Sequence, residues 1–534
     1  MAFFLFSRLA GMMCGILVLF LCVGLNEAVA AIESRDLRIL VTSDMHGWMS
    51  TAWMYPNEKR KGLLHIAEGI RRARSETPDS VLLDAGDLLQ GSPLVSFFHQ
   101  KKKSAAVEDP FFRLVQSLGY DAIVVGNHDL GFNPQFEREY FPRSRFPWLA
   151  ANIYRNSRLV FKPFITLFPN GIKTVILGFS TPGTQMWIGP DRLNGIEISS
   201  IESSAAYWLN IIKREEKPDL IIGVFHAGVY PVRDDENSKI NRISATNAVL
   251  RTLKQNSGFD LVIAGHDHRL SPGMFGTHIE YFRDTPIIEG GRWGQAFVDL
   301  RLKLERSGQK WRISDIEHQI HQASQNRKIE ADYMSGLPAD YKAYMKASLP
   351  YRFDRIPDRK SASACLNLLN ALAQDEPSIA GTILPELSIS RMSDLLGKEV
   401  RRLELYQWFR HDNRTVTVLM SLRDIQLLSE PVPEFGYRRI PYNRKLSVHL
   451  RKFIPKPEKG TWWLKRDLFE RNYPIKISDY HYSGGGGSIS QIFLPITGRV
   501  RISEMTIRDR FFQYMLQKGP ELPDVCRFLT YTGF

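Results

Sequence analysis

The sequence predicts an α/β protein in two parts, and three observations carry that prediction. Strand-like apolar runs alternate with amphipathic helical segments from Leu37 to Leu304. Metal-seeking side chains stand at the ends of several of those runs, as Asp44, His46, Asp87, Asn127, His128, Asp129, His226, His266 and His268. A polar stretch, residues 318–360, then separates this pattern from a second one. At 534 residues the chain is too long for one ordinary core, so two domains are expected.

The first thirty residues read as a targeting segment. Arg8 supplies a positive start, Met12 to Val23 is strongly apolar, and Ala28-Val29-Ala30 fits a small-x-small cleavage site. A cleavable signal peptide over 1–30, cut near Ala30, predicts a periplasmic or secreted protein. An uncleaved signal anchor is the alternative.

The elements then follow in order. Leu37 to Val41 is a strand ending at Thr42-Ser43-Asp44, and Leu63, Ile66, Ala67 and Ile70 recur at helical spacing. Ser80 to Leu83 is a strand running into Asp84-Ala85-Gly86-Asp87. Asp109 and Pro110 mark a helix start, Phe111, Leu114, Val115 and Leu118 share a face, and Gly119 stops it. Ala122 to Val125 runs straight into Gly126-Asn127-His128-Asp129. Lys173 to Gly178, Leu220 to Val224 and Leu261 to Ala264 continue the strands, and Pro286 to Leu304 closes the first part. The second part opens with a helix over Ala364 to Leu372, adds a strand at Thr415 to Met420, and carries the glycine-rich loop Ser483 to Gly487. Loops at the C-terminal ends of strands are where an α/β sheet forms its crevice.

Hydrophobic content of 43% and charged content of 24% are those of a soluble globular protein. The net charge of +13 favours phosphate-bearing ligands, but equally nucleic acid and acidic membranes. With no arginine-rich arm, neither a stable nucleic acid complex nor a membrane role beyond export is expected. Lys101-Lys102-Lys103 reads as a solvated loop. Of the cysteines at 14, 22, 365 and 526, the mature chain keeps two, and no pair has CxxC spacing. Cys365 and Cys526 form either one disulfide or two buried thiols. Oligomeric state has no readable signature.

Taken singly, each ligand motif is weak. A lone His226 after an apolar run is ordinarily a satisfied core histidine. Their order and shared placement point instead to two divalent ions about 3.5–4 Å apart around one bridging carboxylate. The bridge offsets cation repulsion, and neutral imidazoles complete the shells. Such N/O donors suit Zn²⁺, Mn²⁺, Co²⁺ or Fe²⁺ alike.

Over residues 37–316 this arrangement resembles the calcineurin-like metallophosphoesterases, and within them the exported 5′-nucleotidase family. The resemblance includes Gly86 to Pro93, Ala151-Asn152-Ile153 and Gly291-Arg292-Trp293-Gly294. Together with Thr181 to Trp187, these stretches look nearest to the periplasmic 2′,3′-cyclic-nucleotide 2′-phosphodiesterase/3′-nucleotidases. The resemblance implies an N-terminal metallophosphoesterase αββα sandwich (31–317) and a C-terminal α/β substrate-binding domain (361–534), and the polar stretch 318–360 between them reads as a linker that is partly helical. It implies that Asp44, His46, Asp87 and His268 hold one metal and Asp87, Asn127, His226 and His266 the other. His128 would face the phosphate or leaving oxygen. Its partner in 5′-nucleotidases is an Asp three residues later, where this chain has Gly131, so Asp129 is free to orient another group.

The second part resembles the family more loosely, through Leu405 to Thr415 and Tyr480 to Gly486. Tyr406 and Tyr480 are candidates to stack on a nucleobase, although Tyr406, Trp408 and Phe409 read equally as core. The family's Asn-Gly-Gly-Gly-x-Arg segment is missing, and Arg391 is the candidate replacement for its arginine. The expected substrate is a small nucleotide, leaning to 2′,3′-cyclic and 3′-nucleotides. The alternatives are a 5′-nucleotidase or UDP-sugar hydrolase, a thiosulfohydrolase-like dimanganese enzyme, and a nucleotide-binding module without turnover.

Overall fold

The structure, a computed structural model, describes residues 33–531 apart from 53–58, 60, 101–108, 131–139, 189–192, 230–246, 272–277, 308–309, 356–358, 375–380, 386–395, 410–413, 422–445, 451–471, 479–500, 519 and 528. The expected signal peptide, Lys101 to Lys103, Gly131, Arg391, Tyr480 and the Ser483 to Gly487 loop lie outside the described residues.

The strands of the first part are β1 (Glu33–Thr42), β2 (Val81–Asp84), β3 (Ala122–Val124), β4 (Trp148–Leu149), β5 (Ile153–Arg155), β6 (Arg158–Leu159), β7 (Phe164–Leu167) and β8 (Thr174–Ser180). They continue as β9 (Ile196–Ile198), β10 (Leu220–His226), β11 (Leu261–Ala264), β12 (Leu270–Ser271), β13 (Glu280–Phe282), β14 (Thr285–Gly290), β15 (Ala296–Ser307) and β16 (Lys310–Gln322). One six-stranded sheet has the order β16-β15-β1-β2-β3-β4, and one seven-stranded sheet has β12-β14-β11-β10-β8-β7 with β13 beside β14. From β1 to β4 the pairing is parallel, as it is from β8 through β10 and β11 to β14.

The two sheets face each other. Leu37, Ile39, Val41 and Leu83 of one sheet share a buried cluster with Ile176, Ile222, Val224 and Ile263 of the other. Each such side chain contributes roughly 1.5–3 kcal/mol on burial. The helix Leu63–Glu76 covers the outer face of the first sheet with Ile66 and Ile70, and Pro110–Leu118 does so with Phe111 and Val115. On the second sheet, Ile201–Ile211 and Val249–Gln255 do the same with Ile201, Ala205, Val249 and Leu253. This is the αββα sandwich. The predicted helix start holds: the Asp109 carboxylate accepts from Phe111 N–H at 2.9 Å, and Gly119 closes the helix with φ 69°.

Arg38 on β1 ties the layers together. Its guanidinium donates twice to Asp299 of β15, at 2.9 and 2.7 Å, and once to the Ala73 carbonyl at 2.9 Å. All of these groups are buried, so the fork and its carboxylate satisfy each other where water does not reach.

Residues 318–360, read as a linker, are largely built into structure. β16 runs through Gln322, helices span Arg327–Gly336 and Ala339–Lys346, and a strand β17 (Ser348–Phe353) follows. Glu330 of the first helix accepts from Ser50 Oγ at 2.9 Å and pairs with His65 at 3.2 Å.

The second part has β18 (Gly381–Pro385), β19 (Glu399–Arg401), β20 (Arg414–Ser421), β21 (Leu446–Leu450), β22 (Asn472–Ser478), β23 (Arg501–Thr506) and β24 (Leu529–Tyr531). They form a β19-β17-β24 sheet and a β21-β18-β22-β20-β23 sheet. Helices Arg359–Gln374 and Ile507–Gln517 pack through Cys365, Leu366, Leu369, Phe511 and Met515. Cys365 and Cys526 are joined as a disulfide, with Cα atoms 5.1 Å apart. Among the described residues no helix is long and apolar enough to cross a membrane.

Candidate metal centre

Every expected ligand sits at or just past the C-terminal end of a parallel strand. Asp44 and His46 follow β1, Asp87 follows β2, Asn127 and His128 follow β3, His226 ends β10, and His266 and His268 follow β11. Because β1–β3 lie in one sheet and β10–β11 in the other, the site bridges the two sheets at one edge of the sandwich.

The donor atoms converge. Asp44, His46 and His268 offer ligand atoms within 4.8 Å of one another, and so do Asp87, His226 and His266. A third overlapping group joins His46, Asp87 and His128, placing Asp87 between the other two. His226 Nε2 lies 3.2 Å from Asp87 Oδ2 and 3.0 Å from Asn127 Oδ1.

The backbone fixes which ring nitrogens face inward. His46 Nδ1 lies 2.7 Å from the Gln90 carbonyl, and His226 Nδ1 lies 2.8 Å from the Ala85 carbonyl. A carbonyl only accepts, so each Nδ1 carries a proton and each Nε2 is the nitrogen turned toward the other donors. His46 Nε2 stands 3.0 Å from His268 Nε2. Imidazole nitrogens and carboxylates gathered this closely are the kind of donor set that divalent cations bind. The residues therefore fit two divalent ions.

Charge follows the same logic. Burial holds His46, His266 and His268 neutral, at about 4, 3 and 2 respectively. His226 loses solvation too, but the Asp87 carboxylate beside it pushes it up to about 10. Burial opposes charge on Asp87, yet the surrounding imidazoles hold it well below the usual carboxylate range. Asp44 is driven the other way by burial and by the charge on Asp87.

The loops are strained to achieve this. Asp44, His46, Asp87, His266 and His268 have φ of 51°, 49°, 55°, 78° and 59°. Left-handed backbone at a non-glycine residue costs about 1–3 kcal/mol and gathers at functional sites. Two glycines give the ligands room. A Cβ on Gly126 would run into the Asp87 carboxylate, and one on Gly86, at φ 97°, would meet His226 Nδ1.

Asp129 is a positioning residue. It accepts from Gly126 N–H at 2.9 Å, Leu89 N–H at 3.0 Å and Leu88 N–H at 3.4 Å, joining the loops after β2 and β3. His128 N–H donates to Asp87 Oδ1 at 2.7 Å, and its half-buried ring places Nδ1 3.2 Å from Gln90 Oε1. Gln90 thus touches two site histidines. Only its place in the Gly86 to Pro93 run could have marked it. Of the two roles open to Tyr406, its surroundings match core: it is 5% exposed, with the Arg508 guanidinium 3.6 Å from its ring centroid and its hydroxyl 2.8 Å from Tyr344. The packing uses Tyr406 as core, with Trp408 and Phe409.

A two-sheet sandwich with paired donor groups at its edge defines a calcineurin-like phosphoesterase domain. Residues 37–270 of this chain match the family model described as calcineurin-like phosphoesterase. The chain is similar to a 2′,3′-cyclic-nucleotide 2′-phosphodiesterase/3′-nucleotidase of Salmonella typhimurium, 26% identical over 370 residues, covering 64% of this chain and 55% of the relative. It is also similar to a 5′-nucleotidase of Vibrio cholerae, 28% identical over 241 residues, 44% of this chain and 40% of the relative. The chain spans about half the length of the curated relatives it matches. A candidate 5′-nucleotidase from Staphylococcus aureus, solved with α-ketoglutarate, shares the fold over 92% of this chain and 99% of its own, with TM-score 0.69 and 17% identity.

Proposed function

We propose that this chain is an exported phosphohydrolase that uses two divalent metal ions on phosphoesters of nucleotides, favouring 2′,3′-cyclic and 3′-nucleotides. The observation that carries the reading is the pair of donor groups around Asp87, with ring nitrogens oriented by carbonyls. Asp44, His46, Asp87 and His268 would hold one ion, and Asp87, Asn127, His226 and His266 the other. When bound, the ions neutralise phosphoryl charge and make water a better nucleophile. His128 would serve the phosphate or leaving oxygen, a role supported by the contact of its ring with Gln90 and by its own N–H on Asp87. Asp129 keeps the two loops in register for it. Zn²⁺, Mn²⁺, Co²⁺ and Fe²⁺ all match the donor types.

Export is supported by the character of residues 1–30 and by the Cys365–Cys526 bridge, since disulfides persist in oxidising compartments. Tyr480 and Arg391 remain the proposed substrate contacts of the second part. The test is phosphate release from 2′,3′-cyclic AMP, 3′-AMP, 5′-AMP, UDP-glucose and bis(p-nitrophenyl) phosphate, with added Mn²⁺ or Zn²⁺ and a coupled phosphomonoesterase for monoester products. Turnover that favours cyclic and 3′ substrates and vanishes with chelator supports the reading. Preference for 5′-AMP moves the protein to the 5′-nucleotidase class, and turnover untouched by chelation overturns the proposal.

A further inference from the structure

Arg292 lies on a loop built with unusual care. Gly291, Trp293 and Gly294 have φ of 80°, 53° and 57°. An indole-bearing residue in that region is strained by about 1–3 kcal/mol. Backbone bonds hold the loop in place: Gly291 N–H donates to the Arg269 carbonyl at 2.7 Å, and Trp293 N–H donates to the Asp44 carbonyl at 2.8 Å. The second bond fastens the loop to a metal ligand. The Trp293 ring rests on Trp48, with centroids 5.6 Å apart.

The guanidinium that this loop presents meets no carboxylate of the described residues. Arg38 pairs with Asp299, Arg269 with Glu280 and Arg402 with Asp509. Half-buried Arg292, among the described residues, has no carboxylate partner. It lies over the Trp293 ring at 4.9 Å and places Nη1 3.4 Å from His268 Nδ1.

That last contact is incompatible with a loaded site. His268 turns Nε2 toward His46 Nε2 at 3.0 Å and toward Asp44 Oδ1 at 3.4 Å, so Nε2 is its ligating atom. A neutral imidazole that ligates through Nε2 carries its proton on Nδ1. Guanidinium offers donors only, so two N–H groups would then oppose each other. Arg292 is therefore not a support for His268.

We propose that Arg292 is a phosphoryl-binding residue: once His268 is engaged with a metal, the guanidinium is released to grip the non-bridging oxygens of the substrate phosphate. Its planar fork suits that group, and the Trp293 face keeps it aimed without competing for its donors. This rests on the phosphoester reading above, and it places an oxyanion contact on the metal-bearing part of the chain.

The test is binding of inorganic phosphate to the full Mn²⁺-loaded protein by calorimetry, with metal content measured alongside. Arg292→Gln is expected to keep its metal content and unfolding temperature while binding phosphate about 10–100-fold more weakly. Arg292→Lys, which keeps the charge but loses the fork, should recover part of the loss. Unchanged phosphate affinity in Arg292→Gln overturns the proposal. So does loss of metal with normal affinity at the loaded fraction, which would make Arg292 a support for His268 after all. Wild-type protein that takes no phosphate overturns it too. Wild-type protein that binds phosphate through Arg292 yet turns over no nucleotide would sink the functional reading alone.

Discussion

In the first half two sheets bury a continuous aliphatic layer between them, whereas the described residues of the second half gather a core around the Cys365–Cys526 bridge. The first has helices on both outer faces and the buried Arg38–Asp299 fork between its first sheet and the helix Leu63–Glu76. It can therefore hold five ligand residues in left-handed backbone, at about 1–3 kcal/mol each. In the second half a covalent bond adds to packing. The difference teaches where chemistry can be mounted: strained, charged loops need a thick core behind them, and strand ends of a double-layered sheet supply it.

The largest test of this contrast is Asp87→Asn. The variant keeps an acceptor for His128 N–H but removes the shared negative charge, so turnover should fall at least ~10³-fold, with loss of bound metal. Its unfolding temperature in chelator should hold or rise, because a buried charge has gone. Metal analysis and thermal unfolding check both halves of that statement. Full metal content with full turnover would break the contrast at its source.

Replacing Cys365 and Cys526 together by Ser should cost about 2–5 kcal/mol, confined to the second half. Denaturant titration should show it, while the metal content of the first half stays at the wild-type level. A concerted loss of both would mean that the halves fold as one unit.

The smallest expected effect is Tyr406→Phe. Removing the hydroxyl breaks the 2.8 Å bond to Tyr344 and should cost about 0.5–1.5 kcal/mol with no change in KM. A raised KM would return Tyr406 to the substrate side.

The cluster of candidate donors was legible because the fold writes it in one dimension, an apolar run followed at once by its donor. Gly126 and Gly86 were legible as part of those motifs, though the reason for them, closeness to Asp87 and His226, was not. The work of Asp129 was hidden because its partners are the backbone N–H groups of Gly126, Leu88 and Leu89, which no side-chain pattern encodes. The helices Arg327–Gly336 and Ala339–Lys346 read as linker because charged side chains surround a narrow apolar face of Tyr333, Met334, Tyr341 and Met345. Tyr406 stayed open between two roles for a different reason: an aromatic cluster looks the same in sequence whether it faces a ligand or a neighbouring helix.

The bridge between Cys365 and Cys526 spans 161 residues of chain and with them almost all of the second half. Within that span the peptide backbone is no longer the sole thread holding the molecule together. One proteolytic cut between the two cysteines would leave both pieces covalently attached, running as one band on a non-reducing gel and as two after reduction. A single nick there leaves the molecule in one covalent piece.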